Sequence, residues 1–109
     1  MGKAQRDKGA RFERHVVHVL QDHAIGAERV PLSGAAGGSY SGDVSMPLMG
    51  KDMTLECKKR KDGQKQIRAW LGDNYGLVLG ADRKEDLVVI RLTDFAKLVA
   101  CAEKGKSIG

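Results

Sequence analysis

Two carboxylates and a lysine form the most chemically distinctive pattern in the chain: Asp43 and, after twelve intervening residues, the run Glu56-Cys57-Lys58. Side chains two residues apart on a strand face the same side, so Glu56 and Lys58 project together and Cys57 points into the core. Paired carboxylates suit Mg²⁺, which prefers oxygen ligands and keeps several waters. Such a metal lowers the pKa of a bound water, and a lysine can orient that water or stabilise developing charge. These residue types therefore suit phosphodiester hydrolysis.

A hairpin is the element that would bring these side chains together. The dipeptide Gly50-Lys51 is a two-residue turn signal between two predicted strands. With that turn, Asp43 lies opposite Lys58 and diagonal to Glu56, about 7–8 Å away and within reach of a shared ion. A register shift of one residue would move Asp43 to the other face of the sheet. The alternative interpretation of the same residues is a plain cross-strand salt bridge on a solvated face.

The remaining pattern predicts a single α/β domain over residues 1–109, with residues 1–7 and 104–109 flexible. Three helices are predicted from apolar spacing and from an N-cap at Thr93, at Lys8–His23, Gln66–Leu71 and Asp94–Glu103. Five strands are predicted, the last two being aliphatic runs typical of strands covered on both faces: Ala27–Leu32, Asp43–Met49, Asp52–Lys58, Gly76–Gly80 and Leu87–Leu92. This order, αβββαββα, predicts a central mixed five-stranded sheet flanked by helices.

Composition narrows the class of protein. Nineteen Lys and Arg against fourteen Asp and Glu give a net charge of +5, which favours a polyanionic partner such as nucleic acid. The longest apolar runs, such as Leu87–Ile90, are too short to span a membrane. Cys57 and Cys101 form no CxxC motif, so a zinc knuckle is excluded and both are expected to be reduced, buried thiols of a cytoplasmic protein.

Two other features offer weaker signals. The glycine-rich stretch Ser33–Gly42 has neither a Gly-Lys-Ser/Thr run nor GxGxxG spacing, so it is not a nucleotide phosphate loop. His15, His18 and His23 fall on the first predicted helix, but further ligands in order are not evident, so a zinc site is not expected.

The chain resembles the PD-(D/E)xK nucleases through Asp43 and Glu56-Cys57-Lys58. Within them it is similar to the archaeal-type Holliday junction resolvases, whose relatives also occur in phages. The narrower resemblance is carried by further matches in KGARFER and RVPLSG, namely Lys8-Gly9, Glu13, Arg29, Pro31 and Ser33-Gly34. The match extends from about Lys8 to Leu92, and one departure is Gly42 in place of the proline in the motif's name.

The resemblance implies a restriction-endonuclease-like fold and a role for each matching residue. Asp43 and Glu56 would ligate Mg²⁺, for which Mn²⁺ would substitute, and the Cys57 backbone carbonyl would be a further ligand. Glu13 would join the acidic cluster directly or through a metal-bound water. Lys58 would be the catalytic lysine, and Ser33 would contact the scissile region. The residues expected to bind DNA, from the resemblance and from the basic runs, are Lys8, Arg11, Arg29, Ser33, Tyr40, Lys59, Arg60, Lys61 and Lys65.

The resemblance further implies a homodimer that resolves four-way DNA junctions by paired symmetric nicks, in recombination and repair, in the cytoplasm or the host cytoplasm. One alternative is a nuclease of the same fold acting on flaps, duplex or single strands, because active-site residues do not distinguish these substrates. Another is a catalytically silent, basic nucleic-acid-binding module. Without the resemblance, Glu13 would be interpreted as an exposed helix carboxylate and Ser33 as a turn residue.

Overall fold

The structure is a computed structural model that describes residues 3–30 and 42–108. Its helices are α1 (Lys3–Gln21), α2 (Lys65–Leu71) and α3 (Leu92–Ile108). Its strands are β1 (Glu28–Arg29), β2 (Val44–Leu48), β3 (Lys51–Leu55), β4 (Gly76–Leu79) and β5 (Leu87–Ile90). The chain is therefore a small α/β protein, and the element order αβββαββα agrees with the sequence prediction.

The strands within the described residues form two antiparallel sheets, where the sequence predicted one mixed five-stranded sheet. The first sheet has the order β1-β2-β3, and β4 pairs with β5 in the second. The β2–β3 hairpin turns at Met49-Gly50, where both residues have positive φ, 54° and 84°. A two-residue hairpin turn of this kind needs positive φ at both positions, and Gly50 occupies the second of them. The turn predicted at Gly50-Lys51 was one residue too late.

The core lies between α1, α3 and one face of the three-stranded sheet. Apolar side chains at helical spacing on α1 meet alternate residues of β2, as expected for a helix stripe packed on a strand face. The fully or nearly fully buried members are Val16, Val17, Leu20, Ile25, Ala27, Val44, Met46, Ala96 and Val99. This packing fixes α1, which carries Glu13, against β2, which begins directly after Asp43.

The β4–β5 hairpin is more exposed than its aliphatic sequence predicts. Val78, Leu87 and Val88 have 70%, 62% and 65% of their surface exposed, so these strands are not covered on both faces. The short helix α2 packs on β4 and buries only Leu71 fully. Trp70, on the same short helix, is exposed.

The terminal helices are longer than predicted. Helix α1 begins at Lys3 and α3 continues to Ile108, because the residues added at each end include good helix formers such as Lys, Arg and Ala. Thr93 is not an N-cap, since α3 begins at Leu92 and the Phe95 N–H donates to the Arg91 carbonyl at 3.0 Å. In the described ranges, each helix is too short or too polar to cross a membrane.

Candidate active site

Asp43 is held in place on both sides by its backbone. Its carbonyl accepts a hydrogen bond from the Val30 N–H beyond β1 (2.9 Å), and its N–H donates to the Leu55 carbonyl of β3 (2.8 Å). Its side-chain Oδ2 accepts a third hydrogen bond, from the Cys57 N–H (2.9 Å). Asp43 is therefore fixed between three segments of the chain, and its Oδ1 accepts no hydrogen bond from residues 3–30 or 42–108.

The observed register brings Asp43 closer to Glu56 than the sequence predicts. Val44 pairs with Leu55, and continuing that pairing by one residue sets Asp43 opposite Glu56 rather than opposite Lys58. The offset from the predicted register is even, so the two carboxylates stay on the same face. Strand β3 ends at Leu55, and Glu56-Cys57-Lys58 follows directly after it. Lys58 Nζ lies 2.9 Å from Glu56 Oε2, which agrees with the expected common side for these two residues.

Glu13 reaches the site from α1 and is fixed there by an arginine. Arg29 of β1 contacts Glu13 Oε1 through two nitrogens, Nη2 at 3.0 Å and Nε at 3.1 Å. Both side chains are largely shielded from solvent. The guanidinium that the sequence assigned to phosphate binding is thus engaged with a carboxylate, and Glu13 is not a free surface carboxylate on an exposed helix face.

All three carboxylates affect the pKa of the Cys57 thiol. Burial, together with the negative charges of Asp43, Glu13 and Glu56, raises the pKa of Cys57 to about 11 from an ordinary value of 9.0. Burial is the largest cause, because an apolar environment disfavours the thiolate. The side chain packs against the core, as predicted for the residue between Glu56 and Lys58. Three acidic groups, one from α1, one just before β2 and one just after β3, therefore lie around Cys57.

These residues line a cavity of about 660 Å³, the carboxylate recess, defined by Glu13, Asp43, Glu56, Cys57 and their neighbours. Its lining also contains five cations, Lys8, Lys58, Lys59, Arg60 and Lys61. Of the other predicted DNA-binding residues, Arg11 lies nearby on α1, and Lys65 is exposed at the start of α2. Ser33 and Tyr40 lie outside the described residues.

The donor set of the recess fits a hard divalent cation. In the described ranges, no three His, Cys, Asp or Glu side chains gather tightly enough to form a ready-made metal cluster. Mg²⁺ does not need one, because it is commonly bound by one or two carboxylates with several retained waters. Asp43 and Glu56 would supply those carboxylates, with the Cys57 carbonyl beside them. When bound, such a cation activates water and stabilises charge on a phosphate.

The backbone before Asp43 explains the missing proline of the motif. Gly42 has φ +115°, whereas proline is restricted to a φ near −65°. A Cβ added at Gly42 would lie 3.0 Å from the Thr54 Cβ and 3.1 Å from the Leu55 carbonyl oxygen. Only glycine fits this approach of the chain to β3, so Gly42 is required by the local geometry that presents Asp43.

Sequence reasoning missed Phe12 and His15 as residues of the site region. Phe12 lines the carboxylate recess, and its ring lies parallel within 20° to that of His15, with centroids 6.3 Å apart. Their spacing of three residues on a helix was the available signal, but His15 was considered only as a metal ligand, and rejected as one. Gly9 was noted only as part of the Lys8-Gly9 pair, and it lines the same recess.

Comparison with known proteins identifies the family. No curated protein and no solved structure matches the chain. A family model described as "Phage putative PDDEXK endonuclease" matches residues 4–105, almost the whole chain. That span includes all three carboxylates and Lys58. The chain therefore belongs to this phage family of PDDEXK endonucleases, within the PD-(D/E)xK superfamily.

Proposed function

We propose that the protein is a Mg²⁺-dependent endodeoxyribonuclease that resolves four-way DNA junctions by paired, symmetric nicks. The observation that carries the nuclease chemistry is the convergence of Glu13, Asp43, Glu56 and Lys58 on one recess surrounded by lysines and arginines. Mn²⁺ would substitute for Mg²⁺, because both are hard cations with oxygen ligands.

Each residue of the recess has a separate task. Asp43 and Glu56 would hold the cation, and the Asp43–Cys57 hydrogen bond keeps one carboxylate oxygen fixed. Lys58 orients the attacking water or stabilises the charge that develops on phosphate, and its ion pair with Glu56 holds it there before substrate binds. Glu13 would complete the acidic cluster from α1, directly or through a water that the cation would hold, and Arg29 positions it.

The surrounding cations would bind DNA by its backbone. Lys8 on α1 and Lys59, Arg60 and Lys61 after β3 approach the carboxylate recess from two directions. Contacts of this kind give affinity and steep salt dependence but no base recognition. A nuclease that selects the shape of its DNA needs these properties. Ser33 and Tyr40 are proposed as further contacts on the strand that is cut.

A homodimer would carry two active sites, one for each of the two nicks. Val78 and Val88 pair across the β4–β5 hairpin and are both exposed, which supports placing an apolar contact between subunits there. Mass measurement by light scattering on the wild type and on Val78→Lys tests the dimer: the wild type is expected to be dimeric and the variant monomeric.

The function is tested by incubating the protein with synthetic four-way junctions, flaps and linear duplex, in Mg²⁺ or in EDTA. We expect symmetric nicking of the junction in Mg²⁺ alone. Asp43→Asn and Glu56→Gln should each lower cleavage by a factor of about 10³ or more while retaining DNA binding. Asp52→Asn is the matched control, because Asp52 is an exposed carboxylate at the turn end of β3.

The alternatives give different results in the same assay. Equal cleavage of plain duplex or flaps would replace junction resolution by the activity of another nuclease of this fold. Binding to every DNA without cleavage in Mg²⁺ would show a non-catalytic nucleic-acid-binding module.

A further inference from the structure

A second cavity, the basic recess, lies on α1 beside the carboxylate recess. It has a volume of about 410 Å³ and is lined by Lys8, Arg11, Phe12, His15 and Lys59. Its described lining carries three cations and two aromatic rings and contains no carboxylate. This composition differs from that of the carboxylate recess, so the two cavities suit different parts of a ligand.

The two rings are arranged as a pair. Phe12 packs against the core, and the ring of the exposed His15 lies nearly parallel to it, with an angle of 20° between the planes. Lys59 Nζ lies 5.5 Å from the centroid of the Phe12 ring, a cation–π distance that holds the ammonium at the recess. The His15 ring packs on the Phe12 ring, and ammonium and guanidinium groups surround the pair. Such a site is complementary to a nucleotide, whose base can stack on a ring and whose phosphate can pair with the cations.

The two recesses are continuous because Lys8, Phe12 and Lys59 line both of them. If one phosphate of a DNA strand lies at Asp43 and Glu56, the neighbouring nucleotide of that strand would therefore lie in the basic recess. The volume falls within the range of sites for small organic ligands, roughly 300–1,000 Å³, and exceeds the needs of a lone phosphate. Positive grooves with aromatic side chains bind single-stranded nucleic acid in this way, with the base stacked on the ring.

We propose that the basic recess binds one unpaired nucleotide next to the phosphate held in the carboxylate recess, with its base stacked on His15 and its phosphate held by Arg11 and Lys59. The proposal rests on the proposed nuclease function and narrows its substrate class. The preferred DNA has a nucleotide out of the duplex stack beside the cut, as at a branch point or in a single strand. A continuous duplex would leave the His15 ring without a base.

The test measures binding in EDTA, so that cleavage plays no part. The probes are a single-stranded oligonucleotide, a continuous duplex and a four-way junction, each carrying one 2-aminopurine, placed at the branch in the junction. Fluorescence anisotropy gives the affinity, and 2-aminopurine emission, which falls on stacking, reports where the base goes. The variants are His15→Ala, His15→Phe and Arg11→Ala.

We expect His15→Ala to weaken binding of the single strand and the junction by about fivefold or more, and to leave the duplex unchanged, since a stacked base is lost. His15→Phe should keep both the affinity and the quenching, because it keeps a ring. Arg11→Ala should weaken all three probes. Two exposed residues of α1 that do not line the basic recess provide the controls, His18→Ala and Arg14→Ala, and neither should change the preference for unpaired DNA.

Failure of this proposal is separable from failure of the nuclease function. If His15→Ala binds every probe as His18→Ala does, the basic recess is not a stacking site, whatever the cleavage assay shows. If His15→Ala loses unpaired DNA selectively but the wild type cleaves nothing in Mg²⁺, the recess stands as a binding site and the nuclease proposal fails.

Discussion

Arg29 on β1 binds Glu13 on α1 through two nitrogens, Nη2 and Nε, which lie 3.0 and 3.1 Å from the same carboxylate oxygen, Oε1. The ion pair joins the first helix to the edge of the sheet at the carboxylate recess. Both contacts of Arg29 are with Glu13 Oε1. The other carboxylate oxygen, Oε2, can therefore face the recess. Arg29 is therefore best understood as the residue that positions Glu13.

The first prediction concerns this pair. Glu13→Gln and Arg29→Gln should each lower the free energy of unfolding by about 1 kcal/mol, since the pair is shielded but not fully buried. The double variant should lose less than the sum of the two, by about 0.5 kcal/mol or more, because the second change removes a partner already lost. Urea unfolding of all four proteins measures the cycle. Strict additivity would show that the contact contributes nothing to stability.

The second prediction concerns the reactivity of the two cysteines. With a pKa of about 11, Cys57 is thiolate in about one molecule in a hundred at pH 9. Iodoacetamide in EDTA should therefore label the exposed Cys101 well before Cys57. Asp43→Asn should speed labelling of Cys57, because it removes one of the charges that raise its pKa. Asp52→Asn should not. Mass spectrometry of digests reads both sites.

The same shift predicts a pH dependence of stability. Between pH 9 and 11 the unfolded thiol loses its proton while the folded one keeps it, so stability falls as pH rises through this window. Cys57→Ala should remove this part of the loss. Denaturant midpoints at pH 8 and pH 10.5 measure it, and an equal decline in the wild type and the variant would contradict the raised pKa.

The third prediction separates stability from function at Gly9. A Cβ at Gly9 meets nothing within 4 Å, yet the residue lies inside α1 and lines the carboxylate recess. Gly9→Ala should stabilise the protein by about 0.5–1 kcal/mol, as alanine does inside helices. The added methyl narrows the space through which a DNA backbone approaches, so affinity for DNA should fall.

Gly105→Ala is the matched control for that experiment. Gly105 also lies within a helix, α3, with nothing within 4 Å of an added Cβ. It should gain stability without a change in DNA affinity. If both variants bind DNA as the wild type does, the open space at Gly9 has no role in binding.

The fourth prediction concerns the conformation before Asp43. Gly42→Ala should destabilise the fold by about 1–3 kcal/mol, because the residue has φ +115° and its Cβ would meet β3. It should also lower cleavage by displacing Asp43. Gly26→Ala is the comparison: its nearest neighbour would be the Pro47 Cγ at 3.9 Å, an ordinary contact, and little change is expected. Thermal melts and junction cleavage together check both outcomes.

Much of the site was predictable because it depends on local periodicity. Glu56 and Lys58 share one side and Cys57 packs toward the core, as the strand period of two predicted, although β3 ends at Leu55 and these residues follow it. The exact register was not predictable, because Met49-Gly50 and Gly50-Lys51 both offer a glycine to the turn, and only the φ angles of the folded hairpin choose between them.

The sequence by itself determined the PD-(D/E)xK superfamily, the order of elements and the pattern of carboxylates and cations, since these depend on residue types and on spacing along one segment. Tertiary structure alone decided which distant groups meet. The joining of Arg29 to Glu13, the convergence of three carboxylates on Cys57 and the pairing of Phe12 with His15 beside Lys59 depend on how α1 packs on the sheet. Tertiary structure also decided that β4 and β5 form a sheet of their own, because strand pairing is a contact between segments that aliphatic sequence alone does not specify.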